Sequence, residues 1–71
     1  MMIRAYQKGE LAAMYYPWCS QRQALRCFRR DLELATELNQ RLQLTGWRPS
    51  RRVLTPVQVR LIFEALGEPL D

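Results

Sequence analysis

Seven arginines occur at spacings that suit the binding of an anion. Four of them lie one, three or four residues from the next in a stretch with helical periodicity, so they share one side of a helix. The other three are crowded into a short loop further along the chain. The planar guanidinium group donates paired hydrogen bonds to phosphate and carboxylate groups, so the pattern predicts an anion-binding surface. The seven residues are Arg22, Arg26, Arg29, Arg30, Arg48, Arg51 and Arg52.

The overall charge favours nucleic acid as the anion. Ten arginines and one lysine stand against seven acidic residues, which gives a net charge of +4. An arginine-rich basic chain of this size has nucleic acid as its first expected partner, whereas the alternative is that compositional bias and solubility explain the charges. Glu33 is the one acidic residue predicted on the same side of the helix as the four arginines, where it can pair with Arg29 or Arg30. A solvated helix surface normally mixes both signs, so this imbalance favours a binding function.

The sequence offers little for catalysis, metal binding or cofactor binding. It has no histidine, no glycine-rich phosphate loop and no close pair of acids with a reason to differ in pKa. Ser20 and Ser50 suit a helix cap and a loop. Cys19 and Cys27 lie about 12 Å apart if one helix carries both, which is too far for a disulfide, and a zinc site would need further ligands. We expect a non-enzymatic protein without cofactor or metal and with reduced thiols.

The clearest helix is predicted for residues 56–66. Thr55 suits the N-cap, Pro56 the first helical position, and Gln58 completes a capping box. Gly67 suits the left-handed residue that ends the helix. Apolar residues cover most of its surface, which predicts a place in the middle of the core. They are Val57, Val59, Leu61, Ile62, Phe63, Ala65 and Leu66.

A second helix positions the first four arginines. Ser20 and Gln23 form another capping-box pattern, and Leu25, Phe28 and Leu32 follow helical spacing. The arginines then lie roughly 120° from this apolar stripe. Thr36 suits the cap of a third helix over residues 37–43, although the second helix can also continue through it.

The first part of the chain predicts a short strand and a short helix. Residues 3–6 alternate between apolar and polar from Ile3 onwards, and they have a pairing partner in residues 52–54, which include Val53 and Leu54. Residues 10–15 suit a helix that Pro17 ends. The aromatic corner Tyr15, Tyr16 and Trp18 suits either a stacking or peptide-binding surface or a plug between helices, and the plug is favoured.

Together these elements predict a single domain of mainly α class. It has three or four short helices and a minimal two-stranded β pairing, in a winged-helix-like arrangement. No apolar run approaches the ~18 residues of a membrane-spanning helix, and the first residues lack the features of a signal peptide. We therefore expect a cytoplasmic protein with no membrane partner.

The order of elements resembles the winged helix-turn-helix of excisionases and MerR-type regulators. The resemblance rests on Glu10-Leu11-Ala12, which opens their first helix, and on the passage from Arg51 to Val59, which leads from a basic wing into a core helix. It implies a helix in the DNA major groove and a wing on the phosphates. Leu54 stands where those families have an aromatic residue, and the wing is very short.

A closer resemblance covers nearly the whole chain. The sequence resembles a bacterial family of small proteins, found in Bacteroides-type bacteria and catalogued as a domain of unknown function. The resemblance implies a self-standing cytoplasmic domain and supplies no activity. It is carried by Ala5-Tyr6, Glu10-Leu11-Ala12, Tyr15-Tyr16-Pro17, Leu42 through Gly46-Trp47, Leu54-Thr55-Pro56-x-Gln58-Val59-x-Leu61-Ile62 and Leu66-Gly67-Glu68-Pro69.

Two functions are compatible with these observations. The leading hypothesis is a small regulatory DNA-binding domain in which the helix arginines enter the major groove and the loop arginines hold phosphates. The alternative is a protein-interaction module or homodimer that uses the apolar side chains Val57, Leu61 and Ala65. The first hypothesis requires that both arginine clusters face the same side of the molecule.

Overall fold

The structure is a computed structural model that describes residues 3–48 and 50–69. It has four helices and one two-stranded antiparallel sheet, which confirms the predicted mainly α class with a minimal β pairing. The elements in chain order are β1 (Tyr6–Gln7), α1 (Lys8–Tyr15), α2 (Gln21–Leu34), α3 (Thr36–Leu44), β2 (Val53–Leu54) and α4 (Pro56–Leu66).

The predicted strand pairing is present, but the strands are shorter than expected and β1 is shifted. Tyr6 pairs with Leu54 and Gln7 with Val53. Tyr6 and Leu54 are both buried, so this one pair joins the sheet to the core. Ile3 is 45% exposed and lies outside the strand.

Helix α1 begins at Lys8, earlier than the predicted Glu10, because the strand runs directly into the helix. Gly9 lies in the first turn against the start of α2. The Gln21 amide donates to the Gly9 carbonyl at 2.9 Å, and a Cβ added to Gly9 would lie 2.6 Å from the same Gln21 nitrogen. The missing side chain therefore leaves room for the Gln21 amide beside the first turn of α1.

Helices α2 and α3 are separate, as the sequence favoured. Ser20 caps α2 by accepting a hydrogen bond from the Gln23 N–H at 3.3 Å. Ala35 interrupts the helical backbone with φ −81° and ψ 80°, and it takes the N-cap position that Thr36 was expected to fill. The Asn39 side chain donates to the Leu32 carbonyl at 3.4 Å, which satisfies an acceptor at the break.

Helix α4 begins and ends as predicted, with the Thr55 capping box and a positive φ of 81° at Gly67. It is not surrounded by the core, however. Val59, Ile62 and Phe63 are buried, whereas Val57 is 51% exposed, Ala65 is exposed and Leu61 is half-buried. The other buried apolar side chains come from all remaining elements and one loop, and they are Tyr6, Leu11, Ala12, Ala24, Phe28, Leu32, Leu38, Leu42, Trp47 and Leu54.

Gln58 is a buried polar residue that links α4 to the end of α3. Its side-chain oxygen accepts from the Thr55 N–H at 3.0 Å, as the capping box requires. Its amide nitrogen donates to the Thr45 hydroxyl at 3.0 Å, and that hydroxyl donates to the Leu42 carbonyl at 2.6 Å. One side chain thus serves both a local cap and a tertiary contact.

Candidate functional site

A groove with a volume of about 340 Å³ lies between α2, the start of α1 and the loop before β2. Three of its lining side chains are cationic, and they come from three separate segments. We call it the basic groove. It is lined by Gln7, Lys8, Gly9, Leu25, Arg29, Ser50 and Arg52.

A backbone hydrogen bond joins two of the chain segments that line the basic groove. The Lys8 N–H donates to the Arg52 carbonyl at 2.6 Å, which ties the first turn of α1 to the loop beside it. Arg29 lies one turn after Leu25 on α2, so both side chains project to the same side of that helix. The sheet and the helix pairing therefore bring the three cations to one place.

The basic groove continues along α2 into a shallower depression. This depression, with a volume of about 520 Å³, is lined by Gln21, Arg22, Leu25, Arg26 and Arg29. Arg29 and Leu25 line both surfaces. We call Arg22, Arg26 and Arg29 the arginine face, and it forms one continuous basic surface with Lys8 and Arg52.

The arginine face carries uncompensated positive charge. Elsewhere in the chain, ion pairs join Arg4 to Glu10 at 3.2 Å, Arg41 to Glu37 at 3.1 Å and Arg60 to Glu64 at 4.0 Å. Across residues 3–48 and 50–69, no ion pair involves an arginine of α2 or Arg52, and the possible pairing of Glu33 with Arg29 or Arg30 is not formed. Positive potential therefore concentrates on this side of α2.

Lys8 is a half-buried cation of the basic groove. Partial burial lowers its pKa, and the nearby charge of Arg29 lowers it further. Both effects disfavour the protonated amine, and a bound anion would counteract them by compensating the two positive charges.

Three of the predicted arginines do not line this surface. Arg30 lies on another side of α2, near the Tyr16 hydroxyl, which donates a hydrogen bond to Asp31. Arg48 and Arg51 are exposed in the loop, where the Arg51 N–H donates to the Arg48 carbonyl at 3.0 Å. The structure brings together Arg22, Arg26, Arg29 and Arg52, and it adds Lys8, which the sequence interpretation did not include.

The aromatic corner is mostly a plug, with one exception. The Tyr15 ring stacks on Phe28 with a centroid distance of 5.7 Å, and its hydroxyl donates to the Gly67 carbonyl. Burial is the main cause that raises the Tyr15 pKa to about 12, and the charge of Glu68 adds to it. Trp18 contacts Tyr16 edge-on but is 73% exposed.

A second groove of about 230 Å³ lies between α3 and α4. Leu61 and Ala65 line it, whereas Val57 lies on the exposed surface of α4. Its charged rim contains Glu37, Arg41 and Glu64, so both signs are present. This groove lacks the uniform charge of the basic groove.

Metal-ligand clusters and helices that could cross a membrane are both absent from the residues that the structure describes. Among them, no group of three histidine, cysteine or acidic side chains is arranged to hold a metal ion. Cys19 and Cys27 are free thiols. None of the helices in the described ranges is long and apolar enough to cross a membrane.

Comparison with known proteins gives a family but no activity. No curated protein and no solved structure matches the chain at a significant level. Residues 2–69 match the family model described as "Domain of unknown function (DUF4248)", which confirms the resemblance to such a family. Because the match covers nearly the whole chain, this protein belongs to the DUF4248 family.

Proposed function

We propose that this protein is a small, non-enzymatic nucleic-acid-binding domain that holds duplex DNA on the arginine face and the basic groove. One observation carries the proposal. Arg29 of α2 lines the same groove as Arg52 of the loop, so cations from the two clusters share a surface. Regulation of DNA in the bacterial cytoplasm is the setting that fits such a domain.

The dimensions of the arginine face suit a DNA groove. A helix with its side chains is about 10–12 Å across, so a B-DNA major groove about 12 Å wide admits α2, and Arg22 and Arg29 lie about 10 Å apart along its axis. Arg52 and Lys8 lie to one side of α2, where they can contact phosphates. Such phosphate contacts supply most of the affinity of small DNA-binding domains and make it dependent on salt.

Fewer side chains are available to recognise bases than to contact phosphates. Gln21 lines the depression beside the arginine face, and Gln23 is exposed on the same helix. Arginine pairs best with guanine edges, so preference for guanine-containing sites is expected from Arg22 or Arg26. We expect modest sequence preference and affinity that comes mainly from charge.

A salt titration of duplex binding tests the proposal. The double variant Arg26→Gln/Arg29→Gln removes two charges from the arginine face, and Arg41→Gln/Arg60→Gln removes two charges from α3 and α4. We expect the first variant to lower the slope of log affinity against log salt by about 2, and the control to leave it unchanged. Failure of the native protein to bind at about 50 mM salt, or equal losses in both variants, would overturn the proposal.

Protein interaction through α4 is the second candidate function. The observation that favours it is the exposure of Val57, at 51%, together with exposed Ala65 and half-buried Leu61. A homodimer or a partner helix would cover these side chains. Light scattering distinguishes the cases, since a dimer that Ala65→Asp abolishes without loss of helicity supports this function. A native monomer at high concentration excludes the homodimer.

A further inference from the structure

We propose that the basic groove binds a phosphomonoester group, such as the terminal phosphate of a nucleic-acid strand, with Lys8, Arg29 and Arg52 around it. This inference rests on the proposed function for the identity of the strand, and it deepens that function by assigning an end-binding site. The arginine face would hold the adjoining backbone.

The arrangement of charges separates the basic groove from the arginine face. Arg22, Arg26 and Arg29 form a row along one helix, which suits phosphates spaced along a strand. Lys8, Arg29 and Arg52 instead line one concave space of about 340 Å³. An internal phosphodiester carries a single negative charge, whereas a phosphomonoester carries about −1.5 to −2 at neutral pH. Three converging cations match the larger and more localised charge.

The other lining residues suit the same ligand. None of the described residues that line the basic groove is acidic, so an anion meets no repulsive carboxylate there. The Ser50 hydroxyl can donate a hydrogen bond to a phosphate oxygen. Leu25 adds apolar surface, against which a terminal sugar can lie.

The surroundings of Lys8 support this placement. Lys8 and Arg29 line the same groove, and burial together with the charge of Arg29 lowers the pKa of Lys8. A dianion between them would reduce their mutual repulsion and favour the protonated lysine. The hydrogen bond from the Lys8 N–H to the Arg52 carbonyl keeps the third cation beside them.

The test compares two duplexes of identical sequence that differ only in a 5′-phosphate or a 5′-hydroxyl at their ends. We expect fluorescence anisotropy to show about tenfold tighter binding of the phosphorylated duplex, as charge-assisted hydrogen bonds would give. Arg52→Gln and Lys8→Gln should each remove this preference. Arg22→Gln, a matched loss of charge on the arginine face, should weaken binding of both duplexes and keep their ratio. Circular dichroism verifies that each variant is folded.

A competition experiment with adenosine 5′-monophosphate identifies the source of the phosphate. If a labelled phosphorylated duplex is displaced by unlabelled phosphorylated duplex and not by the mononucleotide, the ligand is the strand end. If the mononucleotide itself binds through Lys8 and Arg52, the ligand is a phosphorylated small molecule with the same chemistry. Equal affinity for the two duplexes, with no mononucleotide binding, overturns the phosphomonoester site and leaves duplex binding intact. Mononucleotide binding without duplex binding overturns the proposed function alone.

Discussion

The Lys8 N–H donates a hydrogen bond to the Arg52 carbonyl at 2.6 Å, which fixes the start of α1 beside the loop that precedes β2. Two cationic side chains thereby lie on either side of one short backbone contact. Arg29 of α2 completes the set. The basic groove thus depends on the pairing of the two strands as much as on the arginine-rich helix.

Neighbouring arginines in the loop should contribute differently to DNA binding. Arg52 lines the basic groove and Arg51 does not, although both are exposed. We expect Arg52→Gln to reduce duplex affinity by about tenfold at low salt and Arg51→Gln to reduce it much less. The two variants have equal net charge, so equal reductions in an anisotropy titration would show that only overall charge matters.

Replacement of Gln58 by leucine should destabilise the fold by about 2–3 kcal/mol. The change removes the capping-box acceptor of the Thr55 N–H and the donor to the Thr45 hydroxyl. Urea denaturation followed by circular dichroism measures the free energy of unfolding. Gln40→Leu is the control, because Gln40 is exposed on α3 and its replacement should change stability by less than about 0.5 kcal/mol.

Alkaline pH should destabilise the protein by removing the proton that the Tyr16 hydroxyl donates to Asp31. The hydrogen bond to Asp31 is the main cause that raises the pKa of Tyr16 to about 12, with smaller contributions from burial and the Asp31 charge. The folded state therefore retains the phenolic proton at pH values where the unfolded state loses it. Stability should be fully present below the ordinary tyrosine pKa of about 10 and should fall as pH rises towards 12.

Urea midpoints at about pH 9 and about pH 11 measure this loss of stability. Tyr16→Phe should be less stable at the lower pH because the hydrogen bond to Asp31 is absent. It should also lose less stability between the two pH values than the native protein. Identical pH dependence in the two proteins would contradict this assignment.

The two tryptophans should give separable fluorescence signals. Trp47 is 5% exposed and Trp18 is 73% exposed. Trp18→Phe should therefore remove most quenching by acrylamide, shift the remaining emission to shorter wavelength and leave stability nearly unchanged. Retained quenching in this variant would mean that the Trp47 loop opens to solvent.

Local signals in the sequence were sufficient for the helix boundaries of α2 and α4. The Ser20 and Thr55 caps and the Gly67 stop depend on neighbours within a few residues, so their residue types identify them. The start of α1 was missed because Gly9 normally disfavours a helix. Its place in the first turn depends on the approach of Gln21, which is a tertiary contact.

The residues that form the basic surface could be identified only from the three-dimensional structure. Helical periodicity groups Arg26 with Arg30, but it does not show which side of α2 the loop approaches. The Lys8–Arg52 contact places the loop beside Arg29 and leaves Arg30 near Tyr16. Lys8 lies two residues after the predicted strand of residues 3–6, whose predicted partner begins at Arg52, and this proximity was the signal that could have identified it.

The Gln58 side chain joins the end of α3 to the start of α4, so we expect the two helix ends to open together. If the end of α3 frays, Thr45 moves away, the Gln58 amide loses its partner, and the first turn of α4 loses part of its cap. Backbone amides near Thr45 and in the first turn of α4 should then exchange hydrogen for deuterium as one cooperative unit with similar protection factors. The Trp47 loop lies between them in the chain, so its indole environment should report the same opening event.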